Sequence, residues 1–311
     1  MPVKRKAKFT TPRRRLCGAM EAHMRLLESD PAMRERRSKI HAATELMVRR
    51  GTAFRQGAKK VPVTIPVVVH VVYRTAAENI SVAQIKSQIK AMNRDYSATN
   101  PDKINTPTVW SGLIQNSKIR FALATKDPKG NATTGITRKQ TTVASFTTDD
   151  KAKRAATGGA NAWPATKYLN LWVCTLGGGL LGYAQFPGGA AATDGVVILN
   201  TGFGTTGTAA APFNLGRTAT HEVGHWLNLN HIWGDTSDCS GTDHVSDTPN
   251  AQLPNYGVPT FPHVTCSNGP NGDMFVNYMD YVDDRAMVMF TNGQVSRMQA
   301  TLAGPRSLIG T

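Results

Sequence analysis

Four residues could do chemistry together: His221, Glu222, His225 and His231. His221 and His225 are four apart, so on an α-helix they stand one turn apart on the same face and can converge on one ion. Glu222 beside them completes an H-E-x-x-H spacing, which sets a carboxylate within reach of a metal-bound water as general base. The third histidine constrains the backbone. If the helix ran on, His231 would lie roughly 9 Å further along the axis than His225, whereas zinc–nitrogen bonds are about 2.0–2.1 Å. The helix must therefore stop and turn back between them. Asn228 stands where a left-handed residue would do this, since after glycine asparagine adopts that conformation most readily.

With Asn277-Tyr278-Met279-Asp280-Tyr281 downstream, the pattern resembles the metzincin zinc endopeptidases, H-E-x-x-H-x-x-G-x-x-H followed by a methionine turn. Gly216-Arg217-Thr218-Ala219-Thr220 before the helix and Phe290-Thr291-Asn292-Gly293-Gln294 after the turn are similar to the pappalysin or cytophagalysin (ulilysin-like) branch. Asn228 departs from the consensus glycine. The resemblance implies an α+β fold: a twisted mixed β-sheet, a backing helix, an active-site helix and a mostly irregular C-terminal subdomain, preceded by a helical prosegment. It also implies a zinc-dependent endopeptidase that hydrolyses peptide bonds with a metal-activated water. In such a protein His221, His225 and His231 hold Zn2+, Glu222 moves the proton, Met279 forms an apolar floor, and Tyr281 contacts zinc or the oxyanion or packs as a plain aromatic.

The same resemblance carries further expectations. Arg15-Leu16-Cys17-Gly18 is similar to a cysteine switch, in which a prosegment thiolate takes the zinc position needed for water; the alternative is an unpaired surface cysteine. Leu181, Gly182 and Tyr183 fall in a glycine-bounded strand like the edge strand that pairs with extended substrate. Asp243, Asp247 and Thr248 lie in an oxygen-rich loop suited to structural Ca2+. Cys239 and Cys266 occupy positions that are disulfide-linked in similar proteases, which favours an oxidising compartment. Arg285, with Asp283 and Asp284, borders the pocket for the side chain after the scissile bond; an acid there would suit basic residues, and Arg285 sets that preference in doubt.

The elements that must position these residues are legible in outline. Residues 61–231 form the sheet and zinc-binding helix, and 232–311 the C-terminal subdomain. Val63 to Tyr73 is a β-branched run covered on both faces. Ser81 to Tyr96 is a helix capped by Ser81, with Val82, Ile85, Ile89 and Met92 on one stripe. Further strands are expected at 119–125, 133–142, 167–175, 180–186 and 195–200. His70 reads as a satisfied core histidine and Cys174 as an inert thiol.

Charge points elsewhere until it is localised. The 311 residues carry a net +15. Residues 1–60 hold 17 of the 36 Lys+Arg and 5 of the 21 Asp+Glu, a net +12 that leaves +3 for the rest. That block reads as a basic, helical, inhibitory prosegment, with Pro31 starting its second helix and an activating cut expected between Arg49 and Lys60. Protein or peptide substrates and the chain's own prosegment are the expected partners. Nucleic-acid binding is not expected, and with no run of eighteen apolar residues neither is a membrane span. An extracellular location is expected although no signal peptide is recognisable. The competing function is a non-catalytic, metal-stabilised binding module with a basic N-terminal arm.

Overall fold

The computed structural model describes residues 12–52 and 62–310. The basic stretch 53–61, within which most of the expected cutting region falls, and the first eleven residues lie outside them. The chain opens with two helices, α1 (Ala19–Ser29) and α2 (Pro31–Arg49). Asp30 links them: its side chain accepts from the Met33 amide at 3.2 Å, and Pro31 occupies the first turn of α2, where a missing N–H costs nothing.

The sheet follows. Its strands are β1 (Val63–Tyr73), β2 (Ile119–Leu123), β3 (Ile136–Gln140), β4 (Leu169–Cys174), β5 (Gly182–Ala184) and β6 (Val196–Leu199). The order is β2-β1-β4-β6-β5, and the upper half of β1 pairs with β3. Every pairing is parallel except β5 with β6, so β5 is an antiparallel edge on a parallel sheet. This explains why β1, β4 and β6 are rich in apolar residues and buried along most or all of their length, with coverage on both faces. Pro66 is tolerated in β1 because odd-numbered residues there bond towards β2. Its nitrogen faces the other side, where β4 begins only at Val67. His70 is buried and satisfied on both ring nitrogens, by Thr137 at 2.8 Å and Asn170 at 2.9 Å, and burial holds its pKa down to about 4.

The helix α3 (Val82–Tyr96) is capped by Ser81, which accepts from the Gln84 amide at 3.1 Å. Its stripe is shorter than expected, because Val82 is exposed while Gln84 and Gln88 are buried. Both glutamines are engaged. Gln84 donates to the carbonyls of Asn200 and Phe203, and Gln88 bonds Gly204 and Gly216. The backing helix thus fixes the glycine-rich loop that leads into the next long helix. After a single-turn α4 (Thr108–Ser111), that helix is α5 (Arg217–Trp226), buried along its whole length. It is tied to α3 by Tyr96, which donates to the Thr220 carbonyl at 3.1 Å, and by Asp95, which pairs with Arg217 and accepts from Thr220 at 2.6 Å.

Beyond Ile232 the described residues form turns and one 3-10 segment until α6 (Asn292–Ala303). Thr291 and Gln294 cap α6 reciprocally. Cys239 and Cys266 are joined by a disulfide in this region. Among the described residues no helix is long and apolar enough to cross a membrane.

Candidate metal centre and substrate cleft

The helix α5 brings His221 and His225 to one face. At its end Asn228 takes φ 73° and the Leu229 amide bonds back to the Gly224 carbonyl at 3.0 Å, so the chain reverses and delivers His231 to the same point. His225 Nε2 lies 3.1 Å from His221 Nε2 and 3.0 Å from His231 Nε2. Each Nδ1 has its own acceptor: the Tyr278 carbonyl at 2.7 Å for His221, the Leu229 carbonyl at 2.8 Å for His225, and the Asp235 carboxylate at 2.6 Å for His231. A carbonyl can only accept, so the proton of His221 and of His225 is on Nδ1 and the Nε2 lone pairs face each other. Buried lone pairs at that separation repel unless a cation sits between them, and the spacing is close to the roughly 3.3 Å edge of a tetrahedron of nitrogens around zinc. Burial and mutual proximity hold the His221 pKa well below its ordinary value, which keeps its ring in the neutral, metal-ligating form.

The fourth corner comes from far away in sequence. Cys17 Sγ lies with the three histidines in one buried group, all ligand atoms within 4.8 Å of one another. Three imidazoles and a thiolate form a closed tetrahedral donor set of the type zinc takes. Without a cation, burial pushes the thiol's pKa well up, and a bound metal reverses this. Glu222 Oε2 is 3.4 Å from the sulfur, and burial raises the Glu222 pKa to about 8.

Two glycines permit the close packing. A Cβ on Gly224 would meet Met279 Sδ at 2.5 Å, so Met279 underlies the histidines only because residue 224 has no side chain. A Cβ on Gly182 would come within 2.9 Å of Glu222 Cγ, which allows β5 to run against α5. At β5 the N-terminal segment pairs in a single parallel bridge: Gly18 donates to the Gly182 carbonyl at 2.9 Å and Leu181 to the Leu16 carbonyl at 2.9 Å. Tyr183 is buried, its ring beneath the Lys153 ammonium. Tyr281 sits at the rim, ring centroid 4.9 Å from His231, and its hydroxyl donates to the Cys17 carbonyl at 3.2 Å.

Arg15 is the residue whose placement sequence reasoning missed. Although it is an arginine, it is almost fully buried, 2.6 Å from Asp284, with further bonds to Thr218 and the Val282 carbonyl and its guanidinium over Phe213. Arg285, expected to border a pocket, is exposed, and the acid facing the buried Arg15 is its neighbour Asp284. The segment turns once at Asp284–Ala286, so adjacent side chains diverge. The calcium trio is likewise divided. Asp243 and Thr248 bond at 2.7 Å, whereas Asp247 is directed to the start of α6, accepting from Thr291 at 2.7 Å and the Gly293 amide at 2.8 Å.

The chain resembles known proteins along most of its length. Residues 153–303 match the peptidase family described as pregnancy-associated plasma protein-A. An extracellular metalloprotease of Pyricularia oryzae is 32% identical over 92% of this chain and 88% of its own length. One named extracellular metalloprotease 1, from Coccidioides posadasii, is 42% identical over 42% of this chain and 48% of its own length, so there the match spans about half the relative. Among solved structures, a promirolysin variant of Tannerella forsythia superposes with a TM-score of 0.85 at 44% identity, covering 94% of this chain and 96% of that one. Mirolysin in complex with a compound gives 0.78 at 51% identity, over 80% and 96%.

Proposed function

Because the chain belongs to the pappalysin family of metalloendopeptidases, with the metzincin fold, we propose that it is a zinc endopeptidase made as a zymogen, with residues 1–60 as its inhibitory prosegment. The observation that carries this reading is the convergence of Cys17 with His221, His225 and His231 in one buried group. The family assignment displaces the alternative of a non-catalytic binding module. Residues 61–231 and 232–311 are the two halves of the catalytic unit, and the likeness to extracellular metalloproteases supports an extracellular location.

His221, His225 and His231 would hold zinc, with Cys17 as fourth ligand until the prosegment leaves. When bound, zinc supplies Lewis acidity that activates water and polarises the scissile carbonyl. Glu222, buried beside the histidines, takes the proton from the attacking water at Oε2 as carboxylate and returns it to the leaving amine. Tyr281 loses the Cys17 carbonyl when the prosegment departs, and its hydroxyl is then free to donate to the oxyanion. The β5 edge, with Leu181 and Gly182, aligns the substrate backbone by the bonds now made to residues 16–18. Asp235 keeps the His231 ring oriented.

On this reading Arg15 occupies the pocket that takes the substrate's side chain after the scissile bond, and Asp284 selects basic residues there. Asp284→Asn is expected to lower kcat/KM by about 30-fold or more for peptides with arginine at that position, the loss that follows from about 2 kcal/mol or more at a buried charge pair. Peptides with leucine there should be unaffected. An unchanged preference for arginine would place the pocket elsewhere. Calcium is assigned to Asp243, Thr248 and neighbouring carbonyls; the buried Asp243 has its pKa pushed up to about 7, as burial of a carboxylate does. Millimolar calcium should then raise the Tm of the intact chain, and a Tm insensitive to calcium and to a calcium-selective chelator would reject that site. The direct test of the function is digestion of an unfolded protein by the processed enzyme. Cleavage should stop with a zinc chelator and return with zinc; chelator-resistant cleavage would contradict the assignment.

A further inference from the structure

A second group of ligating side chains lies away from the catalytic centre. His41 and Glu45 are four apart on α2 and so share a face. His244 comes from the loop after the disulfide-bonded Cys239, on the catalytic side. One carboxylate oxygen, Glu45 Oε1, faces both imidazoles, 3.0 Å from His41 Nε2 and 3.6 Å from His244 Nδ1. The two rings meet edge to face with centroids 4.2 Å apart, and the three ligand atoms lie within 4.8 Å of one another. All three side chains are half-buried, about a third exposed. A cavity of about 290 Å³ borders Glu45 and His244 and has room for water to complete a coordination shell. Arg297, also on its wall, faces the backbone carbonyls of His244 and Asn228 at 3.4 Å.

We propose that His41, Glu45 and His244 form a second metal site, for a divalent transition-metal ion, that clasps the prosegment helix α2 to the catalytic unit. Two imidazoles and a carboxylate make a donor set for zinc or cobalt and a poor one for calcium, which prefers oxygens. Two ligands belong to the prosegment and one to the catalytic unit, so the site exists only while they are docked. A metal that binds only the docked form favours it by mass action. The clasp thereby makes latency depend on metal concentration, separately from Cys17. This inference rests on residues 1–60 being the prosegment, whereas the presence of the site does not.

The test uses the full chain carrying Glu222→Ala, which cannot cut itself. After dialysis against micromolar zinc, metal analysis is expected to give two ions per chain, falling to one in His244→Ala and in His41→Ala. With cobalt, the first equivalent should bring a thiolate charge-transfer band from Cys17. The second should add visible absorption without strengthening that band. Trypsin should remove the prosegment about tenfold more slowly at metal ten times above its dissociation constant, with no slowing in His244→Ala. One ion per chain, or a second ion kept by the His41→Ala/His244→Ala double variant, overturns the clasp. Failure of the catalytic-site reading would show separately, as no thiolate band at the first equivalent.

Discussion

Glu222→Ala is expected to lower kcat on an unfolded protein substrate by about 10²–10⁴-fold, the range that a positioned acid–base group contributes. The effect should fall on kcat and kcat/KM together, because Glu222 acts on the proton in transit and the substrate backbone is held by β5. Glu222 is buried and contacts Cys17 and, through its Cγ, the Gly182 position, so truncation leaves the three imidazoles and their Nδ1 acceptors untouched. Zinc content should therefore remain at the level of the unmodified enzyme. A Glu222→Ala protein that retains zinc and cleaves at the original rate would remove Glu222 from the mechanism.

Cys17→Ala should have the second largest effect, on latency. Among the described residues, Cys17 is the one member of the N-terminal segment in the histidine group, and without its sulfur the bonds of Arg15, Gly18 and Tyr281 are left to hold the segment across the cleft. Spontaneous conversion of the full chain to the processed form is expected to quicken by roughly 10²-fold, the ratio given by losing about 2.7 kcal/mol of docking free energy. Cys17→Ser, similar in shape but a far poorer zinc ligand, should behave like alanine. The comparison is made by following the full-length band over time at fixed protein concentration. Conversion as slow as in the unmodified chain would show that backbone pairing along β5 and the Arg15–Asp284 contact suffice for latency.

What the sequence discloses of this molecule follows from periodicity. A helix repeats every 3.6 residues, so His221 and His225 must share a face, and the reach of a metal bond then forces a reversal before His231; Asn228 makes that turn at φ 73°. The β-branched run of β1 could likewise be read as a strand covered on both faces. Residues in irregular segments have no such period. Asp284 and Arg285 are adjacent and of opposite charge, and only the 3-10 turn decides that the aspartate is buried against Arg15, 269 positions away, while the arginine is exposed. Asp247 stands among oxygen-rich neighbours in sequence, yet its carboxylate bonds the start of α6 across 44 positions of chain, which nothing local signals. Gln84 and Gln88 break the apolar stripe of α3 because their partners are backbone groups of a loop more than a hundred residues on, which no local pattern signals. Asn228 carries a second meaning of this kind. Besides turning the backbone, its side chain accepts from Arg37 of α2 at 2.9 Å, so the residue that replaces the consensus glycine also touches the prosegment.

The central claim is that three imidazoles and, in the full chain, one thiolate share a single zinc ion. X-ray absorption at the zinc edge, on full-length Glu222→Ala loaded with one equivalent of zinc, reads that coordination directly. Three nitrogens at about 2.0–2.1 Å and one sulfur at about 2.3 Å are expected, with the sulfur replaced by a light atom once the prosegment is removed. A spectrum without sulfur in the full chain, or with fewer than three imidazoles in either form, would contradict the account.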